Sequence, residues 1–182
     1  MKVKTSIIAF SLLLVTLLIP AKSYAQEVAA GESATFSSLL AQRGADKRAD
    51  ILKRYLEQFD SPLAEHASTF VAQADLYQLD WRFVAAIAGR ESTFGKAEPC
   101  INAWGYGIYP GNMRCFDSYD EGIRIISKDL REKYMNKWGA QTIWDIGKIY
   151  ASSPTWASGV IYFMNDMSDF AIAHPYPLPI SL

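Results

Sequence analysis

Histidine and cysteine are scarce, with two of each in 182 residues. His66 and His174 lie far from each other and from Cys100 and Cys115, so no cluster has the ligand spacing of a zinc site, and neither a metal nor a cofactor is expected. An excess of positive charge is also missing: 18 Lys and Arg face 19 Asp and Glu. Capture of nucleic acid depends on such an excess, so it is excluded as a function. There is no homopolymer run, and half of the chain is hydrophobic, which excludes global disorder and a collagen-like fibre.

Long apolar stretches are absent too, except at the front. Lys2 and Lys4 precede a largely apolar run from Ile7 to Ile19, and Ser23-Tyr24-Ala25 places small residues where a signal peptidase reads before Gln26. The run is shorter than the ~20 residues that span a bilayer. Residues 1–25 therefore read as a signal peptide, the alternative being an uncleaved anchor, and the mature chain is expected to be secreted: periplasmic, in the cell wall or extracellular, with no membrane span. The leader carries Lys2, Lys4 and Lys22 and no acid, leaving 15 basic residues against 19 acidic ones. In an oxidising compartment the pair Cys100 and Cys115 reads as a disulfide, the alternative being free thiols; closing a loop of about 15 residues contributes ~3 kcal/mol in the chain-entropy model.

The rest of the chain predicts a mainly α-helical domain over residues 47–171, after a flexible lead-in at 26–46 and before a Pro-rich tail at 172–182. Ile51, Leu52, Tyr55, Leu56 and Phe59 recur at helical spacing. Ser61-Pro62 opens a second helix with Leu63, Ala67, Phe70, Val71 and Ala74 on its stripe. Asp80 caps a third, apolar nearly all round from Trp81 to Ala88 and expected to end near Gly95. Residues 96–117 have no helical period and form one long loop carrying both cysteines. Ser118-Tyr119-Asp120-Glu121 reads as a capping box ahead of Ile123, Ile126, Leu130 and Tyr134. Thr142 opens a further helix through Ile143, Ile146, Ile149 and Tyr150, and Ser153-Pro154 opens the last, with Trp156, Val160, Phe163, Met164 and Met167 inward.

Glu91 stands out against this background. It ends an apolar helix, so desolvation and the negative end of the helix dipole both raise its pKa. A carboxylic acid kept protonated is what glycosidic cleavage needs, because the leaving oxygen takes a proton as the C–O bond breaks. Equally, a Glu at a helix end can be a solvated surface residue held ionised by Arg90. In the following loop, Trp104, Tyr106, Tyr109 and Phe116 offer aromatic faces, while Asn102, Asn112 and Ser118 offer hydrogen-bonding groups. Sugars present the complement, apolar C–H faces and polar substituents.

These segments resemble those of a known group. Arg90-Glu91-Ser92-Thr93-Phe94-Gly95 is similar to the Glu-Ser-x-x-Gly segment closing the catalytic helix of the lysozyme-like superfamily. Asn102-Ala103-Trp104-Gly105-Tyr106-Gly107-Ile108 resembles the Asn-x-x-Gly-Ile stretch that follows it in the bacterial endo-β-N-acetylglucosaminidases. Phe116-Asp117-Ser118-Tyr119-Asp120-Glu121-Gly122 is similar to their lead into the next helix. The resemblance covers roughly residues 75–165. It implies a lysozyme-like helical domain with one disulfide-bridged loop, Glu91 as general acid oriented by Ser92, and cleavage of a β-1,4-linked N-acetylglucosamine-containing glycan, most obviously peptidoglycan. Tyr150 falls where these families carry an active-site tyrosine, and Ser92, Asn102, Trp104, Tyr106 and Ser118 are the expected substrate-binding set. The chain is expected to act as a monomer.

Lytic transglycosylases of the superfamily usually carry a Gly-Leu-Met-Gln segment, which this chain does not have, and a Tyr-Asn-x-Gly motif where it reads Tyr150-Ala151-Ser152-Ser153. That favours the glucosaminidase branch over the transglycosylase. A second carboxylate is not assigned: Glu98, Asp117, Asp120 and Glu121 are the candidates, and a substrate-assisted route would need none. A silent glycan-binding module and a protein-binding inhibitor or adhesin are the competing readings.

Overall fold

A computed structural model describes residues 47–108 and 111–175. The expected leader and lead-in, Tyr109, Pro110 and the tail beyond Pro175 lie outside the described residues. Among those described the chain is mainly helical and has no strand.

Helix α1 spans 47–57 and buries Leu52, Tyr55 and Leu56 on one side. Phe59 lies past the helix end, where its ring packs on Tyr55 and Phe94. Ser61 caps a 3-10 helix, Pro62–His66, by accepting the Leu63 N–H at 3.1 Å, and it donates to the Phe94 carbonyl at 2.7 Å. The chain continues directly into α2, Ala67–Leu76, whose buried residues are the expected Ala67, Phe70, Val71 and Ala74. Asp80 accepts the Arg82 N–H, so it caps a leading turn and the third helix proper starts at Phe83.

That helix, α3 (Phe83–Ser92), is the centre of the core: Phe83 to Gly89 are all buried. Its end departs from expectation. The helix stops at Ser92, and Thr93, Phe94 and Gly95 all take left-handed backbone, with φ of 52°, 58° and 82°. Packing explains the early stop. The Phe94 N–H closes back on the Ala88 carbonyl at 3.0 Å, and its fully buried ring lies where a side chain on Gly89 would be, 2.5 Å from an ideal Cβ. Phe94 thus turns into the core three residues after Glu91 and drags the chain out of the helix before a glycine is reached.

Helix α4 (Tyr119–Asp129) carries the expected inward face, Ile123 and Ile126, and continues into a π-helical segment, Leu130–Lys137, that buries Leu130 and Tyr134. Only half of the expected capping box is made. Ser118 accepts the Glu121 N–H, but the Glu121 carboxylate reaches past Ser118 to the Asp117 N–H at 2.7 Å. Helix α5 (Ile143–Tyr150) has the complete box, between Thr142 and Asp145. Of its expected stripe, Ile146 is buried and Ile149 is exposed. Helix α6 (Trp156–Ala173) begins two residues beyond Pro154, runs slightly past the expected domain boundary, and packs along α3. Cys100 and Cys115 are joined in a disulfide that fastens the two sides of the long loop, their Cα atoms 5.8 Å apart. No helix among the described residues is long and apolar enough to cross a membrane.

Candidate functional site

Glu91 lies in the last turn of α3, between the start of α6 and the long loop. The Trp156 indole N–H donates to its Oε1 at 2.5 Å. Its Oε2 faces Gly105, 3.2 Å from where a Cβ would stand, so any side chain there would crowd the carboxylate. Gly105 also has a φ of 59°, which suits glycine. As a residue Glu91 opens to solvent on one side. The packing on its other sides nevertheless desolvates the carboxyl and raises its pKa, opposed by the Trp156 hydrogen bond and by the charge of Arg90, both of which favour the ionised form. Oε1 accepts the indole N–H, which leaves Oε2, the oxygen beside Gly105, as the one without a hydrogen-bond partner among the described residues.

A cavity of about 320 Å³ adjoins Gly105, lined by residues 105–108 and by Arg114, Tyr134 and Tyr150. Tyr150 separates it from Trp156, on which its ring stacks at 4.7 Å. The Tyr150 hydroxyl donates to the Trp104 carbonyl at 2.7 Å, and burial, reinforced by the charge of Glu91, pushes its pKa well up. It therefore stays a neutral phenol with its proton already engaged. In this placement Tyr150 positions the loop and walls the cavity. Tyr106 is raised likewise by burial and by its bond to Asp129, to which its hydroxyl donates, and Tyr134 is pushed up to about 12 by burial and then by Asp129.

The expected substrate-binding residues divide. Tyr106 reaches the cavity. Trp104 is fully buried, its N–H donating to the Val84 carbonyl at 3.0 Å, so its ring belongs to the core. Ser92 is buried and links three backbones: it lies 3.1 Å from the Ala88 carbonyl and 2.7 Å from that of Ala103, and accepts the Gly95 N–H. Asn102 uses its whole amide inside the loop, donating to the carbonyls of Tyr106 and Arg114 and accepting the Tyr106 N–H. Ser118 is a helix cap. The polar side chains of this loop turn inward because a long loop without regular structure must satisfy its own backbone groups.

Of the four candidate carboxylates, Asp117 is exposed and the other three are placed as firmly. Glu98 accepts from the Tyr119 hydroxyl at 2.5 Å and from the Asn102 N–H at 2.9 Å. Asp120 accepts from Thr69 and pairs with His66. Glu121 holds the Asp117 N–H, and among the described residues no acid belongs to the cavity lining, Glu91 meeting it only through Gly105. No family model matches the chain, and no curated protein matches it in sequence.

Two contributors have no sequence signal of their own. Trp156 reads as a core residue from its spacing, although an indole N–H usually finds a partner when buried, and here that partner is Glu91. Asp129 lies at the seam between α4 and the π-helical segment, buried, with its carboxylate taking the Tyr106 hydroxyl and the Lys133 ammonium. Among the described residues no group of three His, Cys, Asp or Glu side chains could hold a metal ion.

Proposed function

We propose that this protein is a secreted glycosidase that cleaves β-1,4-linked N-acetylglucosamine-containing glycan, peptidoglycan above all, with Glu91 as general acid. The observation that carries the reading is a carboxyl at the end of an apolar helix, its pKa raised by burial, with one oxygen against Gly105 at the edge of an aromatic-walled cavity. The resemblance of residues 90–95 and 102–108 to the lysozyme-like glucosaminidases supports the same assignment. In the reaction the Oε2 proton passes to the leaving glycosidic oxygen as the C–O bond breaks. Among the described residues no second acid lines the cavity, and Glu98, Asp120 and Glu121 are held elsewhere, which favours a route in which the sugar's acetamido oxygen closes on the anomeric carbon. Water then adds at that carbon as its bond to the acetamido oxygen breaks and the acetamide is restored, and the Glu91 carboxylate takes up the water's proton.

Glu91→Gln is expected to lower fragment release from peptidoglycan by at least a hundredfold while leaving the fold intact, read in a turbidity or gel-clearing assay. Wild-type activity in this variant sinks the proposal. The missing second carboxylate also favours a second reading, a silent glycan-binding module, which would pellet with insoluble peptidoglycan and release nothing. Mass spectrometry of the released ends separates hydrolysis from transglycosylation, since only the latter leaves anhydro ends.

A further inference from the structure

Among the described residues Arg114 is the one charged side chain lining the cavity beside Gly105, and the acid chemistry above does not use it. Its placement is specific. The aliphatic stem lies on Gly107, with Cδ 3.2 Å from where a Cβ would stand. The guanidinium lies over the rings of Tyr106 and Phe116, 5.5 and 5.1 Å from their centroids. Its backbone is held too, since the Arg114 carbonyl accepts from Asn102 and the next residue, Cys115, is in the disulfide. Among the described residues the guanidinium has neither a hydrogen bond nor an ion pair. Asp129, which holds the Tyr106 hydroxyl, is engaged by Tyr106 and Lys133 instead.

A planar cation clamped by two rings has lost most of its rotamer freedom before any ligand arrives, and its fork of N–H groups matches a carboxylate. Gly105, which abuts Glu91, and Gly107, which abuts Arg114, are two residues apart in the chain and so at most about 7 Å from each other. A glycan running from Glu91 along this stretch of the loop would therefore pass the segment on which Arg114 rests. We propose that Arg114 is a specificity-determining residue that binds a carboxylate of the substrate, so that this site takes acidic glycan in preference to neutral glycan. The inference rests on the cavity being a glycan site. The carboxylate has two possible sources, an acidic substituent on the sugar itself or a peptide attached to it.

The test compares wild type with Arg114→Met, which keeps the stem on Gly107 but not the charge, and with Arg114→Lys, which keeps charge and stem. Each is co-sedimented with intact peptidoglycan, with strands stripped of peptide so that the sugar carboxylates are free, and with neutral chitin. Arg114→Met is expected to bind acidic glycan about ten- to a hundredfold more weakly, the scale of a charged hydrogen bond, and chitin unchanged. Arg114→Lys should recover part of the loss, and high salt should erase the difference. A defect on stripped strands assigns the carboxylate to the sugar, and one confined to intact peptidoglycan assigns it to the peptide. Equal binding of all three by wild type and Arg114→Met overturns the inference, as does a loss that is the same on chitin. Fragment release is measured in parallel. A selective binding loss without any fragment release sinks the glycosidase reading and leaves the carboxylate site standing, whereas a wild type that pellets with none of the three overturns both.

Discussion

Glu91 is held between opposing influences, and the sign of each can be tested at the single residue. Desolvation raises its pKa, and the Trp156 N–H lowers it by favouring the carboxylate. Trp156→Phe removes the N–H while keeping an aromatic ring in the site, so the pKa is expected to rise further and the basic limb of the pH–rate profile, where the acid loses its proton, to move to higher pH. A limb that stays in place or moves to lower pH removes Trp156 from the tuning of the acid. The same desolvation has a stability consequence. A folded-state pKa above the unfolded value of about 4.3 means the contribution is fully present below that value and is lost as pH rises through the folded pKa. Glu91→Gln, neutral throughout, is therefore expected to melt higher than wild type near neutral pH and to show no such gain near pH ~3. Equal gains at both values would place the effect in packing.

At the scale of elements, the turn after α3 joins the acid to its cavity, and two neighbouring residues in it should respond in opposite directions. Ser92→Ala removes a buried hydroxyl and leaves the Gly95 N–H without its partner, an expected loss of about 1–3 kcal/mol in urea unfolding. Thr93 is exposed and β-branched in left-handed backbone, so Thr93→Gly is expected to stabilise by up to ~1 kcal/mol through relief of that strain. Destabilisation by the glycine would mean that Thr93 makes contacts outweighing its backbone. This turn also marks the limit of what the sequence reveals. The stripes of α2 and α4 and the caps Ser61, Ser118 and Thr142 are legible because spacing and cap chemistry are local. The helix stop at Ser92 is not, because it depends on Phe94 finding the space above Gly89. The π-helical segment after Asp129 has no local signal, and nothing local separates Asn102 and Trp104, which turn inward, from Tyr106, which reaches the cavity. Glu91 itself is legible because an acid ending an all-apolar helix is a local anomaly with a chemical use.

For the whole molecule, the expected mature chain has a surplus of acids, so under the proposed function attraction to an anionic wall would have to be local, the part the proposal gives to Arg114. The acids also have an internal role. Tyr55, Tyr106 and Tyr119, on α1, the loop and α4, donate to Asp166, Asp129 and Glu98 respectively. Burial first, and then these acids, raise all three phenols, Tyr119 to about 12, and burial raises Tyr134 and Tyr150 as well. Five of the chain's 10 tyrosines are thus harder to ionise in the folded state than in the unfolded one, where the pKa is about 10. A folded pKa raised above the unfolded value contributes stability that is fully present below about pH 10 and is lost as pH climbs through the folded values. The fold is therefore expected to hold nearly constant stability up to about pH 9 and to lose it steeply by about pH 11. In a phenolate absorbance titration these five phenols should appear together, in one step coincident with the loss of helical circular dichroism. A smooth titration of all the tyrosines near 10 with the helices intact would show that these phenols do not couple ionisation to the fold.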